Sequence, residues 1–147
     1  MRGISPLGIL VGAASDLVLT LVLSSLLEIW VYATTDLSHL PREQAQAALA
    51  VALSGPSPLY ISQVVVGLGC SVLGGFIAAA LSRDRHLLNG VLAGLLLNLF
   101  LIAGGVTGYS GVDLALTALS FACYPAGAAL RLKLLPPRAS APSGAPP

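Results

Sequence analysis

The sequence predicts an all-α integral membrane protein, a bundle of four helices that cross a bilayer. Three observations carry this. Four continuous apolar segments are each long enough to span, since a helix needs about 20 mostly apolar residues to cross the hydrocarbon core. The chain is 56% hydrophobic and only 9% charged across 147 residues, whereas soluble domains carry about 25% charged residues and short ones have little interior in which to hide apolar surface. Basic and aromatic residues also sort to opposite ends of the segments.

The spans run from about Pro6 to Tyr32, Leu59 to Leu81, Leu87 to Tyr109 and Val112 to Leu130. Helices are expected rather than barrel strands because the apolar runs show no two-residue alternation. Arg2 ahead of the first run raises the possibility of a cleaved signal peptide. The run is too long for one, Asp16 interrupts it and no small-residue cleavage site follows, so a retained span is expected. Residues 1–135 form a single four-span domain in this reading. The Pro-, Ala- and Ser-rich stretch 136–147 reads as a disordered cytoplasmic tail.

Orientation follows from charge. Arg2, Arg83, Arg85, Arg131, Lys133 and Arg138 fall on one side of this layout and only Arg42 on the other. The positive-inside rule makes the first side cytoplasmic, with both termini there. Trp30, Tyr32, Tyr60 and Tyr109 lie at the opposite ends of their spans, as an interfacial aromatic belt would. In the first outer loop, Pro41 and Gly55 bracket a short amphipathic helix. Its small and apolar residues Ala45, Ala48, Leu49, Ala52 and Leu53 oppose Arg42, Glu43, Gln44 and Gln46. Such a helix is a solvated cap on the bundle or a lid over an outward-facing cavity.

Each span carries a polar or small stripe at helical spacing. The stripes are Asp16, Thr20, Ser24 and Glu28; Gln63, Gly67, Ser71, Gly74 and Ala78; Gly90, Gly94, Asn98 and Gly105; and Asp113, Thr117, Ser120, Tyr124, Gly127 and Arg131. Lipid offers these groups no hydrogen bond, so the stripes are expected to face one another. Asp16, Ser71, Asn98 and Ser120 fall near one depth and form a candidate intramembrane polar cluster. Glu28, Gln63 and Thr117 would form an outer polar layer. Asp16 is expected to hydrogen-bond Asn98. An acid at mid-depth costs on the order of 3 kcal/mol on insertion scales. Asp16 is therefore either a packing residue held by hydrogen bonds or a proton- or cation-binding group in a transport pathway.

The remaining residues point to no chemistry. Cys70 and Cys123 lie inside apolar segments and read as packing residues. There is no CxxC or Cys/His cluster for a structural metal. His39 and His86 are expected to be solvated in the loops, too far from the buried serines for a catalytic pair. Pro125 is expected to kink the fourth span. No enzyme activity, cofactor or metal is expected. A net charge of +1 gives nucleic acid no electrostatic support.

The stretch from Val66 to Ala80, with Gly74-Gly75-Phe76-Ile77-Ala78-Ala79 at its end, leads through Arg83 and Arg85 to Asn89-Gly90. Together with Gly12 and Asp16, it resembles small four-span bacterial inner-membrane proteins of uncharacterised function. The resemblance covers about two-thirds of the chain and implies a bacterial cytoplasmic membrane location and no known activity. Small multidrug transporters also have four spans and an acid in the first, but this chain has a longer outer connection and no other matching motif. The leading expectation is an accessory, scaffold or interaction subunit, partnered by lipid and by another membrane protein or a second copy through Gly/Ala-rich faces. The alternative is a small solute or ion transporter using Asp16.

Overall fold

The computed structural model describes residues 3–34, 37–53, 57–105 and 111–135. They form five α-helices: α1 (Pro6–Thr34), α2 (Arg42–Leu53), α3 (Pro58–Ala80), α4 (His86–Ala103) and α5 (Gly111–Leu134). A short 3-10 turn, Leu37–His39, precedes α2. Four of the helices, α1, α3, α4 and α5, are long and apolar enough to cross a membrane. The architecture is that of a multi-pass membrane protein. Arg2, Gly55, Tyr109, Arg138 and the tail 136–147 lie outside the described residues.

Local sequence sets the helix starts. Ser5-Pro6 opens α1 and Ser57-Pro58 opens α3. In each pair the serine Oγ accepts a backbone N–H three residues on, from Gly8 at 3.2 Å and from Tyr60 at 3.1 Å. Proline takes the first helical position, where its missing N–H costs nothing. The third span ends earlier than its hydrophobicity implies, at Ala103 rather than Tyr109. Gly104 and Gly105 turn the chain there, and Gly105 adopts φ +66°, a left-handed conformation that suits glycine. The 18 residues of α4 rise roughly 27 Å, close to the thickness of a hydrocarbon core. The fourth span instead runs past Leu130 to Leu134, carrying Arg131 and Lys133 in its last turn.

α3 and α4 pack against each other, and each also packs against α1 and α5. They form the central wall, with α1 and α5 on its two sides. Hydrogen bonds from the segment before α1 to Leu81 and Asn89, and a contact from His86 to Arg131, gather four helix ends at one end of the bundle. Arg83, Arg85, Arg131 and Lys133 belong to this basic end.

The radial distribution is inverted relative to a soluble protein. The buried apolar residues are mainly alanines, with Val31, Cys70, Leu97 and Tyr124, while Leu7, Leu10, Val65, Phe100 and Leu114 are exposed. Large apolar groups face outward, where lipid would solvate them, and small ones let the backbones approach. A Cβ on Gly12 would stand 2.6 Å from the Gly74 carbonyl oxygen. One on Gly75 would collide with the Tyr124 backbone, and one on Gly127 with the Val72 carbonyl.

Burial is uneven along the bundle. Gly8, Gly12, Asp16, Gly74, Ala78, Gly90, Gly94, Gly127 and Ala128 are buried. Toward the far end the same stripes are only half-buried at Thr20, Ser24, Glu28, Gln63, Gly67, Asp113 and Thr117. Gly67 shares the face of Ser71 and Gly74, yet a Cβ there would meet nothing within 4 Å. The bundle is tight at the basic end and looser at the other. There α2 forms as the sequence predicts, with Ala45 buried and Arg42, Glu43, Gln44 and Gln46 exposed.

Substitution of the glycines separates these regions. Gly75→Ala and Gly127→Ala are expected to lower stability by about 1–3 kcal/mol, the range for overpacking a filled interior. Gly67→Ala should leave it unchanged or slightly higher. Unfolding in mixed micelles followed by circular dichroism distinguishes these outcomes.

Candidate functional site

The most buried polar arrangement joins α1 to α5 across the central wall. Tyr124 is fully buried and is the largest such side chain. Its hydroxyl donates to Asp16 Oδ2 at 2.6 Å. The other carboxylate oxygen, Oδ1, accepts from Thr20 Oγ1 at 3.0 Å, one turn along α1. Asp16 is 2% exposed, so both oxygens are engaged in a site with almost no solvent contact.

Two glycines make that reach possible. A Cβ on Gly94 of α4 would stand 2.8 Å from Tyr124 Cγ and Cδ2, and one on Gly74 of α3 would stand 3.2 Å from Cε1. The ring therefore occupies the space that side chains at these positions would fill. The Gly74 position would also bring a Cβ within 3.0 Å of Asp16 Cβ. Any larger residue at 74 or 94 competes directly with the aromatic ring.

The expected four-residue cluster is only partly assembled. Ser71 and Ser120 do meet, with their hydroxyl oxygens 2.8 Å apart. Ser71 Oγ also lies 3.2 Å from the Gly67 carbonyl, which can only accept. The single Ser71 proton goes there, so Ser120 donates to Ser71. Asp16 does not pair with Asn98. Asn98 Nδ2 donates instead to Gly94 O of its own helix at 2.8 Å, while the aspartate faces Tyr124. Equal depth was the basis for the expected pair. Depth alone does not fix rotation about each helix axis, and the gap at Gly94 gives the tyrosine first access to the acid.

The outer layer is likewise not a buried hydrogen-bonded set. Glu28, Gln63 and Thr117 are half-buried, and Thr117 Oγ1 donates to Asp113 O within its own helix at 2.8 Å. At this level the stripe residues stay partly accessible. Pro125 is accommodated within α5, which continues as one helix from Gly111 to Leu134.

The basic end holds a second polar network. Asn89 is fully buried. Its Oδ1 accepts from the Ser5 backbone N–H at 2.8 Å. Its Nδ2 donates among the carbonyls of Gly3, Asp84 and Arg85, at 3.1–3.2 Å. One amide thus ties the segment before α1 to the α3–α4 connection, where Arg85 adopts a left-handed conformation with φ 49°. His86 is buried rather than solvated. Its Nδ1–H donates to Ala79 O at 2.8 Å, which leaves Nε2 facing Arg131 Nη1 at 3.5 Å. The histidine is the first residue of α4, so it turns into the bundle instead of staying in the loop.

Sequence reasoning placed Tyr124 on the interior stripe of α5 but did not identify it as the partner of Asp16. A signal was available. The other three tyrosines lie near span ends, where an interfacial belt explains them; Tyr124 lies well inside its span, where its hydroxyl needs a partner. Among the described residues, no three His, Cys, Asp or Glu side chains come together as a metal site would require. Cys70 and Cys123 are both free thiols. Comparison with family models, with curated proteins and with solved structures found no match for this chain.

A double-mutant cycle tests the central bond. Asp16→Ala and Tyr124→Phe are expected to couple by about 1–2 kcal/mol, the upper part of the range for interhelical hydrogen bonds in membranes. Asn98→Leu, which breaks only an intrahelical bond, should cost less than Tyr124→Phe. Equal costs for the two single substitutions, with no coupling in the cycle, would contradict this geometry.

Proposed function

We propose that this chain is a non-enzymatic accessory, scaffold or interaction subunit of a bacterial cytoplasmic membrane, with its basic end on the cytoplasmic side. One observation carries the non-enzymatic part. Among the described residues, each buried polar residue makes a hydrogen bond within the protein, and the buried side-chain atom without one is Nε of the half-buried Arg131. Asp16 is held by Tyr124 and Thr20, Ser71 by Ser120, Ser82 by Ala78 O, His86 by Ala79 O, Asn89 by the loop and Asn98 by Gly94 O. A nucleophile or proton carrier needs a reacting group next to it, and these groups are spent on helix packing. The placement of Arg83, Arg85, Arg131 and Lys133 at one end supports the orientation through the positive-inside rule. The bacterial location rests on the motif resemblance alone.

A second reading, a small solute or ion transporter, is favoured by the looser far half. There, interior-facing polar residues are half-buried and Gly67 borders open space. This polar face leads toward Asp16, and the Tyr124 ring closes the path beyond it. The two readings differ in whether water and solutes reach the acid.

Thiol accessibility separates them. Single cysteines at Asp16→Cys, Thr20→Cys and Ser24→Cys, in a background lacking Cys70 and Cys123, are treated with a membrane-impermeant maleimide from each side. The subunit reading predicts no labelling at residues 16 and 20 from either side. It also predicts copurification of a defined membrane-protein partner or a second copy. Labelling at 16 or 20 from the far side would replace it with the transporter reading.

A further inference from the structure

Two hollows lie along the seam between α1 and α3. The first is at the basic end, about 300 Å³, lined by Gly3, Ile4, Ser5, Pro6, Leu81, Arg83 and Asp84. The second lies deeper along the helices, about 440 Å³, lined by Val11, Ala14, Ser15, Val18, Leu19 and Ile77. Leu81, the C-cap of α3, lies one turn beyond Ile77, so one hollow follows the other along the seam. The first has a polar mouth and the second is almost wholly apolar. That sequence of surfaces, polar at the membrane boundary and apolar within, matches an amphiphile standing upright in one leaflet.

The charges in the mouth specify the headgroup. Arg83 and Asp84 are both exposed, and both line the same hollow. The hydrogen bond that Asp84 makes uses its backbone carbonyl, which accepts from Asn89, so its carboxylate is not spent there. A hollow lined by one basic and one acidic residue suits a ligand that carries both a phosphate and an ammonium. A purely anionic headgroup would satisfy Arg83 but meet repulsion from Asp84. A choline headgroup has the right charges, but its quaternary nitrogen has no N–H to donate to the carboxylate. A primary ammonium has three.

The mouth is also held in shape. Ser5 N–H is bonded to Asn89 Oδ1, Gly3 O accepts from Asn89 Nδ2, and Ser5 Oγ donates to Leu81 O at 3.3 Å. Gly3 adopts φ +102°, and a Cβ there would press on Asp84 and Arg85. Preformed walls lower the ordering cost of binding.

We propose that the α1–α3 seam is a binding site for a zwitterionic aminophospholipid, with the phosphate at Arg83, the primary ammonium at Asp84 and one acyl chain along Val11, Val18 and Ile77. The proposal rests on the membrane location and not on the subunit or transporter reading. The probes are phosphatidylethanolamine, phosphatidylcholine and phosphatidylglycerol with identical chains, added to the delipidated full chain and read by native mass spectrometry. Phosphatidylethanolamine is expected to be retained at least about threefold over each of the others, a preference of roughly 0.65 kcal/mol. Asp84→Asn should abolish the preference over phosphatidylcholine and raise phosphatidylglycerol retention. Arg83→Gln should lower retention of all three. Equal retention by the native chain overturns the proposal, as does a preference unchanged in Asp84→Asn, or a lipid-free dimer. Both substitutions are at exposed positions, and unchanged circular dichroism checks that the fold is intact.

Discussion

A buried carboxylate in an apolar bundle must be satisfied by the protein, and here the Tyr124 hydroxyl does it from two helices away. α1 and α5 flank the α3–α4 wall, so the bond spans the bundle. It requires a gap in the wall, which Gly74 and Gly94 provide. It also requires close approach of α3 to α5, which Gly75 and Gly127 permit. Residues scattered over all four spans are thereby tied to a single geometric demand. A short hydrogen bond to a carboxylate in a low-dielectric setting is among the stronger neutral-to-acid contacts. The same low dielectric makes loss of either partner costly.

Close packing is concentrated on one side of that bond. Between it and the basic end, glycine and alanine bring the helices together, and Asn89 and His86 fix the connection between α3 and α4. On the other side the stripes remain polar and are only half-buried. The difference follows from side-chain size and chemistry. Gly8, Gly12, Gly74, Gly75, Gly90, Gly94 and Gly127 all lie in the tight half, while the far half presents Thr20, Ser24, Glu28, Gln63 and Thr117 on the corresponding faces. Small residues permit backbone contact, and longer polar ones hold helices apart and favour contact with water. An anchored half and a looser half are the arrangement on which the two functional readings diverge.

The small residues divide between the interior and the outer surface. Gly12, Gly74, Gly75, Ala78, Gly94 and Gly127 are buried among the chain's own helices, whereas Ala115, Ala118, Ala122 and Ala126 of α5 face outward beside large apolar residues. Such a surface is compatible with lipid along most of its length. The α1–α3 seam differs because Arg83 and Asp84 line its mouth, above an apolar groove.

The sequence by itself determined the helical class, the number of long apolar helices, the short helix after the first of them and, in the half nearer the basic end, the faces that turn inward; Gly105, on the expected stripe of the third span, is exposed. Those features depend on composition and on 3.6-residue periodicity, which are local. The Ser-Pro pairs and the Gly104-Gly105 stop are local as well, although hydropathy alone carried the third span too far. Tertiary structure decided the partners. Asp16 and Asn98 share a depth, yet the acid bonds Tyr124 because rotation of each helix, and the space left by Gly74 and Gly94, are set by packing among four helices at once. His86 reads as a loop residue from its charged neighbours, and it is buried because Ala79 offers a carbonyl one connection away. Depth and periodicity are properties of one helix; which side chain fills which gap is a property of the bundle.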